Sequence, residues 1–283
     1  MSLRLCILGS GSRGNAAIVR TDRACLLIDA GLGIRALKSR LAARDMALDD
    51  VDALIVTHTH GDHLRSSAIT ACTNHRILMY NHAANEAVIA ARYPRFRELA
   101  ERRLNATFDC APLAIDDIAV RAVPVPHDAD GATVALIIER RDGEERQRIA
   151  FATDLGRVPN ELLDVFADSD VLVLEFNHDV DMLRNSKRTA YLKARVNGTS
   201  GHLSNAQAVA ALRTLIARSR RPPLAVVPAH LSRECNTPRL VGGLVNDVLR
   251  KHGAHKTRVV MTSQDRPTEW LDIRAMRGQP SLF

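Results

Sequence analysis

The sequence predicts one compact α/β domain in which mixed β-sheets are covered by helices. Short apolar runs alternate with stretches of helical periodicity along the chain. The first runs follow one another as hairpins, whereas the later runs alternate with helices. The 283 residues contain no repeat or low-complexity linker and are enough to bury a sizeable core. We therefore expect residues 1–283 to form a single domain.

The predicted strands are short apolar runs, many rich in valine and isoleucine, bounded by glycine or polar turns. In chain order they are Leu3–Leu8, Ala16–Val19, Cys25–Asp29, Ala53–Thr57, Ile77–Tyr80, Ile118–Val123, Thr133–Ile138, Ile149–Thr153, Val171–Glu175, Leu224–Val227 and Arg258–Met261.

Helical spacing predicts four helices, Ile34–Ala43, His82–Arg92, Asn205–Arg218 and Pro238–Lys251. Ser204 and Gln207 have the spacing of a capping box at the start of the third helix. The fourth begins at a proline that suits a first helical position, with Asn236 or Thr237 as its cap.

The composition is that of an ordinary globular protein, with 46% hydrophobic and 25% charged residues. No apolar run approaches the ~20 residues that span a bilayer, and the first residues lack the core of a signal peptide. None of the five cysteines forms a C-x-x-C pair, so we expect a reducing cytoplasm, with Cys25 and Cys72 as small buried hydrophobes. The net charge of +7 favours polyanionic partners, although solubility alone could explain it.

A glycine motif, Gly9-Ser10-Gly11-Ser12-Arg13-Gly14, matches the G-x-G-x-x-G of dinucleotide-binding folds. That function requires a helix directly after the glycines, but strand-like runs follow instead. We interpret the motif as a turn between two strands, with Asn15 and Asp29 shaping a neighbouring site.

A dense histidine motif, Thr57-His-Thr-His-Gly-Asp-His63, follows a predicted buried strand. So many imidazole and carboxylate groups on one turn would repel or desolvate one another unless a divalent metal ion is shared between them. The donors suit zinc and also admit manganese or iron. Extended backbone directs His58 and His60 to one side, while the turn directs Asp62 and His63 to a second ion.

Further ligand candidates stand at the ends of later strands, where open α/β sheets place their chemistry. His127 follows an apolar segment, Asp154 follows Ile149–Thr153, and His230 follows Leu224–Val227.

These segments together resemble the metallo-β-lactamase-fold hydrolases. The shared segments are Gly-Ser-Gly-Ser-x-Gly-Asn, Ile-Asp-Ala-Gly, Thr-His-Thr-His-Gly-Asp-His, Thr-Asp-x-Gly and the two later histidines. The resemblance implies a four-layer αββα sandwich with a dinuclear site. It also implies three groups of ligands: His58, His60 and His127 on one metal, Asp62, His63 and His230 on the other, and Asp154 bridging them.

Two metals roughly 3.5–4 Å apart can hold a bridging hydroxide as nucleophile, so we expect hydrolysis without an organic cofactor. The segments 173–179, 201–208 and 230–234 resemble the tRNA 3′-processing ribonuclease branch of the fold. That resemblance implies His202 as general acid, Glu175 as its orienting partner and Asp62 as a residue that steers water.

The segments Glu-Phe-Asn-His-Asp, Gly-His-Leu-Ser-Asn and His-Leu-Ser-x-Glu-Cys-Asn-Thr-Pro are similar to those of the YycJ/WalJ subgroup. This similarity implies a bacterial cytoplasmic exonuclease that acts on DNA from 5′ ends, with manganese as a plausible activator.

A basic segment precedes His202, and we expect it to hold backbone phosphates. The alternative is a solvated helix face. The predicted substrate-binding residues are Arg184, Lys187, Arg188, Lys193, Arg195, Ser204 and Ser232.

The sequence is also compatible with other functions of the same fold. They are hydrolysis of a lactone, thioester or cyclic phosphodiester, and RNA processing. Metal identity, strand polarity and oligomeric state are equally open, and a non-enzymatic regulator would require the metal site to be silent.

Overall fold

The computed structural model describes residues 1–109, 111–143 and 145–278. Their strands form two seven-stranded sheets. The first sheet has the spatial order β14 (Leu271–Asp272), β1 (Arg4–Gly9), β2 (Ala16–Arg20), β3 (Cys25–Ile28), β4 (Ala53–Val56), β5 (Leu78–His82) and β6 (Asn105–Phe108). The second has the order β13 (Arg258–Val259), β12 (Ala225–Ala229), β11 (Val171–Glu175), β10 (Glu145–Ala152), β9 (Thr133–Asp142), β8 (Ile118–Val125) and β7 (Leu113–Ile115).

Each sheet is antiparallel in one half and parallel in the other. In the first, β14, β1, β2 and β3 pair antiparallel, and β3 to β6 pair in parallel. In the second, β7 to β10 form an antiparallel meander, and β10 to β13 pair in parallel. The carboxyl ends of the parallel strands therefore meet along one edge of each sheet.

Most of the helices pack on the outer faces of the sheets. They are α1 (Ile34–Ala42), α2 (Ser66–His75), α3 (Glu86–Arg92), α4 (Phe96–Glu101), α5 (Asn160–Phe166), α6 (Val180–Asn185), α7 (Ala190–Val196), α8 (Asn205–Arg218), α9 (Pro238–Lys251) and α10 (Ile273–Met276). Short 3₁₀ turns occupy Leu48–Asp50 and Ala83–Asn85.

Three apolar clusters define four layers. One cluster lies between the two sheets and includes Leu26 and Val173. A second joins the first sheet to α1 and α2, and a third joins the other sheet to α5, α8 and α9. The arrangement is the αββα sandwich of the metallo-β-lactamase fold, which confirms the predicted fold class. Among the described residues, no helix is long and apolar enough to cross a bilayer.

Most predicted elements are present, and their differences from the prediction have local causes. The predicted helix His82–Arg92 is wrong in its first turn: His82 ends β5 and pairs with Phe108, and α3 begins only at Glu86. Three strands of the meander are longer than the apolar runs that predicted them. The runs are Ile118–Val123 in β8, Thr133–Ile138 in β9 and Ile149–Thr153 in β10.

The predicted turn and caps are confirmed. The glycine motif connects β1 to β2, which pair as a hairpin. Ser204 and Gln207 form a capping box on α8, and the Thr237 side chain caps α9. Cys25 and Cys72 are buried, and burial raises the pKa of both thiols to about 12. Cys110 and residues 279–283 lie outside the described residues.

Candidate active site

The predicted site residues converge where strand ends of the two sheets face each other. The segment 57–63 follows β4 in the first sheet, and Asp29 follows β3. From the second sheet come the residues after β8, β10 and β12, together with Glu175, the last residue of β11. Both halves of the sandwich therefore contribute to one cluster.

Three histidines form the first group of potential metal ligands. The donor atoms of His58, His60 and His127 lie within 4.8 Å of one another. His60 Nδ1 is 3.2 Å from His127 Nε2, and His127 Nδ1 donates a hydrogen bond to the carbonyl oxygen of Gly201. That bond leaves His127 Nε2 directed into the cluster.

Asp62, His63 and His230 form a second group with the same spacing. The carboxylate Oδ2 of Asp62 is 3.8 Å from His63 Nε2 and 3.5 Å from His230 Nε2. Both imidazoles are buried, whereas the Asp62 side chain is 24% exposed and so borders the opening of the site.

Asp154 lies between the two groups. Its Oδ2 is 3.0 Å from His63 Nε2, and its Oδ1 is 3.9 Å from His127 Nε2 and 3.5 Å from His230 Nδ1. A carboxylate in this position can contact both groups at once.

Three site residues adopt the left-handed backbone conformation that non-glycine residues rarely take. The φ angles are 57° at Asp29, 61° at Asp154 and 54° at His230. Each follows a strand, and such a conformation costs about 1–3 kcal/mol. This backbone conformation turns the chain sharply at the strand end, so that the side chain points towards the cluster.

The orientation of His63 is fixed by residues from the first sheet. Its Nδ1 donates to Asp29 Oδ2 at 2.7 Å, and Thr57 donates to the same carboxylate through its amide and hydroxyl. Asn15 Nδ2 lies 2.9 Å from His63 Nε2. Asn15 and Asp29 therefore shape the site, as the sequence predicted.

Glu175 connects two neighbouring histidines through one oxygen of its carboxylate. Its Oε1 is 2.9 Å from His202 Nδ1 and 3.0 Å from His230 Nδ1, and its Oε2 accepts the amides of Leu155 and Leu203. These contacts outweigh burial and lower the pKa of Glu175 to about 2. A fixed carboxylate thus orients His202, whose side chain is 21% exposed.

One buried imidazole nitrogen of the cluster lacks a partner within the protein. His58 Nε2 is buried and makes no hydrogen bond to another described residue. Leaving such an atom unpaired costs about 1–3 kcal/mol. Imidazole and carboxylate donors converging on one space fit divalent metal ions such as zinc, manganese or iron.

The charges of the cluster balance one another in the metal-free protein. Burial and the neighbouring His63 lower the pKa of His58 well below its ordinary value. Burial opposes the charge of His63 and His230, but the carboxylates around them raise the pKa of His63 well above 6.5 and that of His230 to about 10. Bound cations would supply the positive charge that these two imidazoles otherwise provide.

Sequence reasoning missed Asp128, which lies beside the first group. Its Oδ1 is 3.7 Å from His127 Nε2 and 4.0 Å from His60 Nε2. Arg195 on α7 holds the other oxygen through its Nε. The position directly after His127 was the only sequence signal, because the partner is 67 residues further along the chain.

The predicted substrate-binding cations lie on α6, α7 and the loop between them. Arg188 pairs with Glu234 at 2.8 Å, and Lys193 Nζ donates to the carbonyl of Arg184. Lys187 is exposed, and no ion pair joins it to another described residue.

The two predicted hydroxyls are buried. Ser204 is 3% exposed and caps α8, and Ser232 is 2% exposed and accepts the Cys235 amide. Both hydroxyls are therefore already engaged in hydrogen bonds within the fold.

The sequence places the chain in a known family. Residues 25–230 match the family described as the β-lactamase superfamily domain. The chain belongs to the β-lactamase superfamily. It is a metal-dependent hydrolase of the metallo-β-lactamase fold, as the resemblance implied.

Two relatives carry the resemblance to the YycJ/WalJ subgroup. Exodeoxyribonuclease WalJ of Streptococcus pneumoniae (serotype 2, strain D39) is 30% identical over 242 residues, which cover 85% of this chain and 86% of the relative. Exodeoxyribonuclease YycJ of Bacillus anthracis is 29% identical over 255 residues, 89% of this chain and 91% of the relative.

The short form of human tRNase Z has the same fold. Its crystal structure superposes with a TM-score of 0.61 at 14% identity and covers 93% of this chain and 98% of its own.

Proposed function

We propose that this hydrolase is a dinuclear-metal phosphodiesterase that removes nucleotides from the 5′ end of DNA. The observation that carries the proposal is the Glu175–His202 pair beside the metal-binding cluster, at 2.9 Å. A phosphodiester has a poor leaving group, so its hydrolysis benefits from a positioned proton donor. The exodeoxyribonuclease names of both relatives support DNA as the substrate.

Seven side chains would hold two divalent ions. His58, His60 and His127 would bind one, Asp62, His63 and His230 the other, and Asp154 both. Ions bound there supply an activated water molecule and neutralise charge on the phosphate.

The protein's own groups then have distinct tasks. The partly exposed Asp62 carboxylate accepts a hydrogen bond from the attacking water and directs it towards phosphorus. Glu175 holds the Nδ1–H of His202, which leaves Nε2 to deliver a proton to the oxygen that departs. The burial of Glu175 and its two amide donors keep this carboxylate in place.

The basic residues of α6, α7 and their connection would bind phosphates of the strand. Arg184, Lys187, Arg188, Lys193 and Arg195 lie on the elements that lead to His202. Each phosphate contact would contribute an affinity that falls as salt rises.

The test uses linear duplex DNA labelled at either its 5′ or its 3′ end, with protein loaded with manganese or with zinc. We expect early release of 5′-terminal nucleotides. Asp62→Ala should abolish release, which excludes a contaminating nuclease. His75→Asn is the matched control, because His75 pairs with the exposed side chain of Asp49 instead of the cluster.

Each other outcome has a definite meaning. Early loss of the 3′ label would contradict the proposed 5′-to-3′ direction but would still support a nuclease. No cleavage with either metal at low or high salt would overturn the DNA substrate. Cleavage of RNA, or of a lactone, thioester or cyclic phosphodiester in its place, would establish the corresponding alternative.

A further inference from the structure

The most exposed large apolar side chain of the described residues lies among the cations near the site. Tyr191, in the first turn of α7, is 80% exposed. The other aromatic residues in the described ranges are buried or half-buried. Tyr191 makes no hydrogen bond or ring contact with another described residue, so its ring is free to contact a ligand.

The helix that carries this ring is bonded to residues beside the site. Arg195, one turn after Tyr191, binds Asp128 beside His127. Residues four apart lie on the same face of a helix, about 6 Å apart along its axis. The carbonyl of Val196 accepts the amide of His202, so the helix end is bonded to the proposed proton donor.

The segment that carries the ring is basic. Its Lys187 and Lys193 form no ion pair with another described residue, whereas Arg184, Arg188 and Arg195 each pair with an acid. The segment 184–195 contains five basic residues and no acid. Lys193 Nζ donates to the carbonyl of Arg184, which connects α6 to α7. A ring flanked by cations is the combination with which proteins hold single-stranded nucleic acid, because phosphates meet the cations while a base stacks on the ring.

We propose that Tyr191 is a stacking platform for an unpaired nucleobase at the end of the DNA strand. The proposal rests on the proposed nuclease function and deepens it by naming a base-binding residue. Stacking accepts any base, so the platform would hold a strand end without reading its sequence. It would keep the strand beside the cluster while one nucleotide is removed.

The test compares two oligonucleotides of equal length and phosphate number, one normal and one abasic throughout. Binding is measured by fluorescence anisotropy with metal-loaded protein that carries His202→Asn to slow cleavage. Tyr191→Ala should weaken binding of the normal strand by about 5- to 100-fold and leave the abasic strand unaffected. Tyr191→Trp should restore binding and show tryptophan quenching with the normal strand alone.

Leu240→Ala is the matched control, since Leu240 is another exposed large apolar residue, on α9. Equal weakening for both strands, or none for either, would overturn the stacking role. If Tyr191→Ala binds and degrades DNA like the parent, only this inference fails. If the parent itself neither binds nor degrades DNA, both the proposed function and this inference fail.

Discussion

Glu175 couples the two kinds of histidine in this site. One of its oxygens meets both His202 and His230, so the proposed proton donor and a proposed metal ligand share a single carboxylate. The other oxygen is held by the amides of Leu155 and Leu203. The position of the proposed proton donor relative to the metal-binding cluster is therefore set by a buried group with little freedom to move.

This arrangement predicts how His202→Asn affects catalysis. On DNA we expect kcat to fall by about 10²–10⁴, because the leaving oxygen loses its proton donor. A phosphodiester with a p-nitrophenolate leaving group needs little protonation and should lose far less. Bound metal, measured by mass spectrometry, should match the parent and His75→Asn. Equal losses on both substrates would show that His202 acts in some other way.

At the residue scale, the site residues that directly follow strands could be predicted from the sequence. The cluster 57–63 and the single residues Asp154 and His230 follow apolar runs, and the structure brings them together. Asp128 could not be found in this way. Its place depends on how Arg195 and α7 dock, a long-range contact without a local sequence pattern.

At the scale of elements, close backbone packing positions the Asp62 loop. A Cβ added to Gly31 would lie 1.6 Å from the carbonyl oxygen of Asp62, whereas one on Gly33 would meet nothing within 4 Å. The turn after β3 therefore has no room for a side chain where it supports this loop.

Gly31→Ala should consequently displace Asp62 and His63. We expect a loss of stability of about 1–3 kcal/mol from overpacking, together with reduced metal content. Gly33→Ala, two residues away, should change stability by no more than about 1 kcal/mol and keep its metal. Thermal unfolding and metal analysis of both variants check this. A Gly31→Ala protein with full metal content would contradict it.

The cap of α8 connects helix stability to the site. Ser204 follows Leu203, whose amide binds Glu175, and comes two residues after His202. Thr237 caps α9 with the same kind of hydrogen bond, seven residues after His230. The two caps allow the effect on stability to be separated from the effect on catalysis.

Ser204→Ala and Thr237→Ala should each cost about 1 kcal/mol in unfolding free energy. Only Ser204→Ala should also lower kcat, because it loosens the segment that holds His202. Denaturant unfolding and steady-state kinetics on DNA give the two numbers. Equal kinetic effects of the two variants would argue against this link.

The two longest helices were predictable from the sequence, whereas several shorter helices were not. The helices α8 and α9 have several turns of apolar spacing and recognisable caps. In contrast, α5, α6 and α7 have six or seven residues each, too few for a clear period. The position of α5 is decided by packing against the second sheet, whereas α6 and α7 pack in a small separate cluster with Cys235.

At the scale of the whole molecule, the site joins the two sheets. The first sheet supplies the segment 57–63, and the second supplies His127, Asp154 and His230. In the metal-free protein, attraction between carboxylates and protonated imidazoles holds this junction. Metal ions would replace the protons there, so we expect chelation to make stability sensitive to pH.

The direction of that dependence follows from the raised pKa values of His63 and His230. Below an unfolded-state pKa of 6.5 the contribution of both histidines to stability is fully present. The contribution of His230 is lost as pH rises through about 10, and that of His63 is lost as pH rises through its own raised pKa. The unfolding temperature of chelated protein should therefore fall between pH 6 and pH 9. His230→Asn should show a smaller fall, and an unchanged or rising temperature in the chelated parent would contradict the assignment.

The most direct test of the whole account is the number of metal ions per chain. Native mass spectrometry of protein purified without chelator, then loaded with manganese or zinc, gives this number. We predict two divalent ions per chain, and no more than one when Asp154→Ala removes the carboxylate between the two groups. A parent that holds one ion or none, or an Asp154→Ala protein that still holds two, would contradict the dinuclear centre.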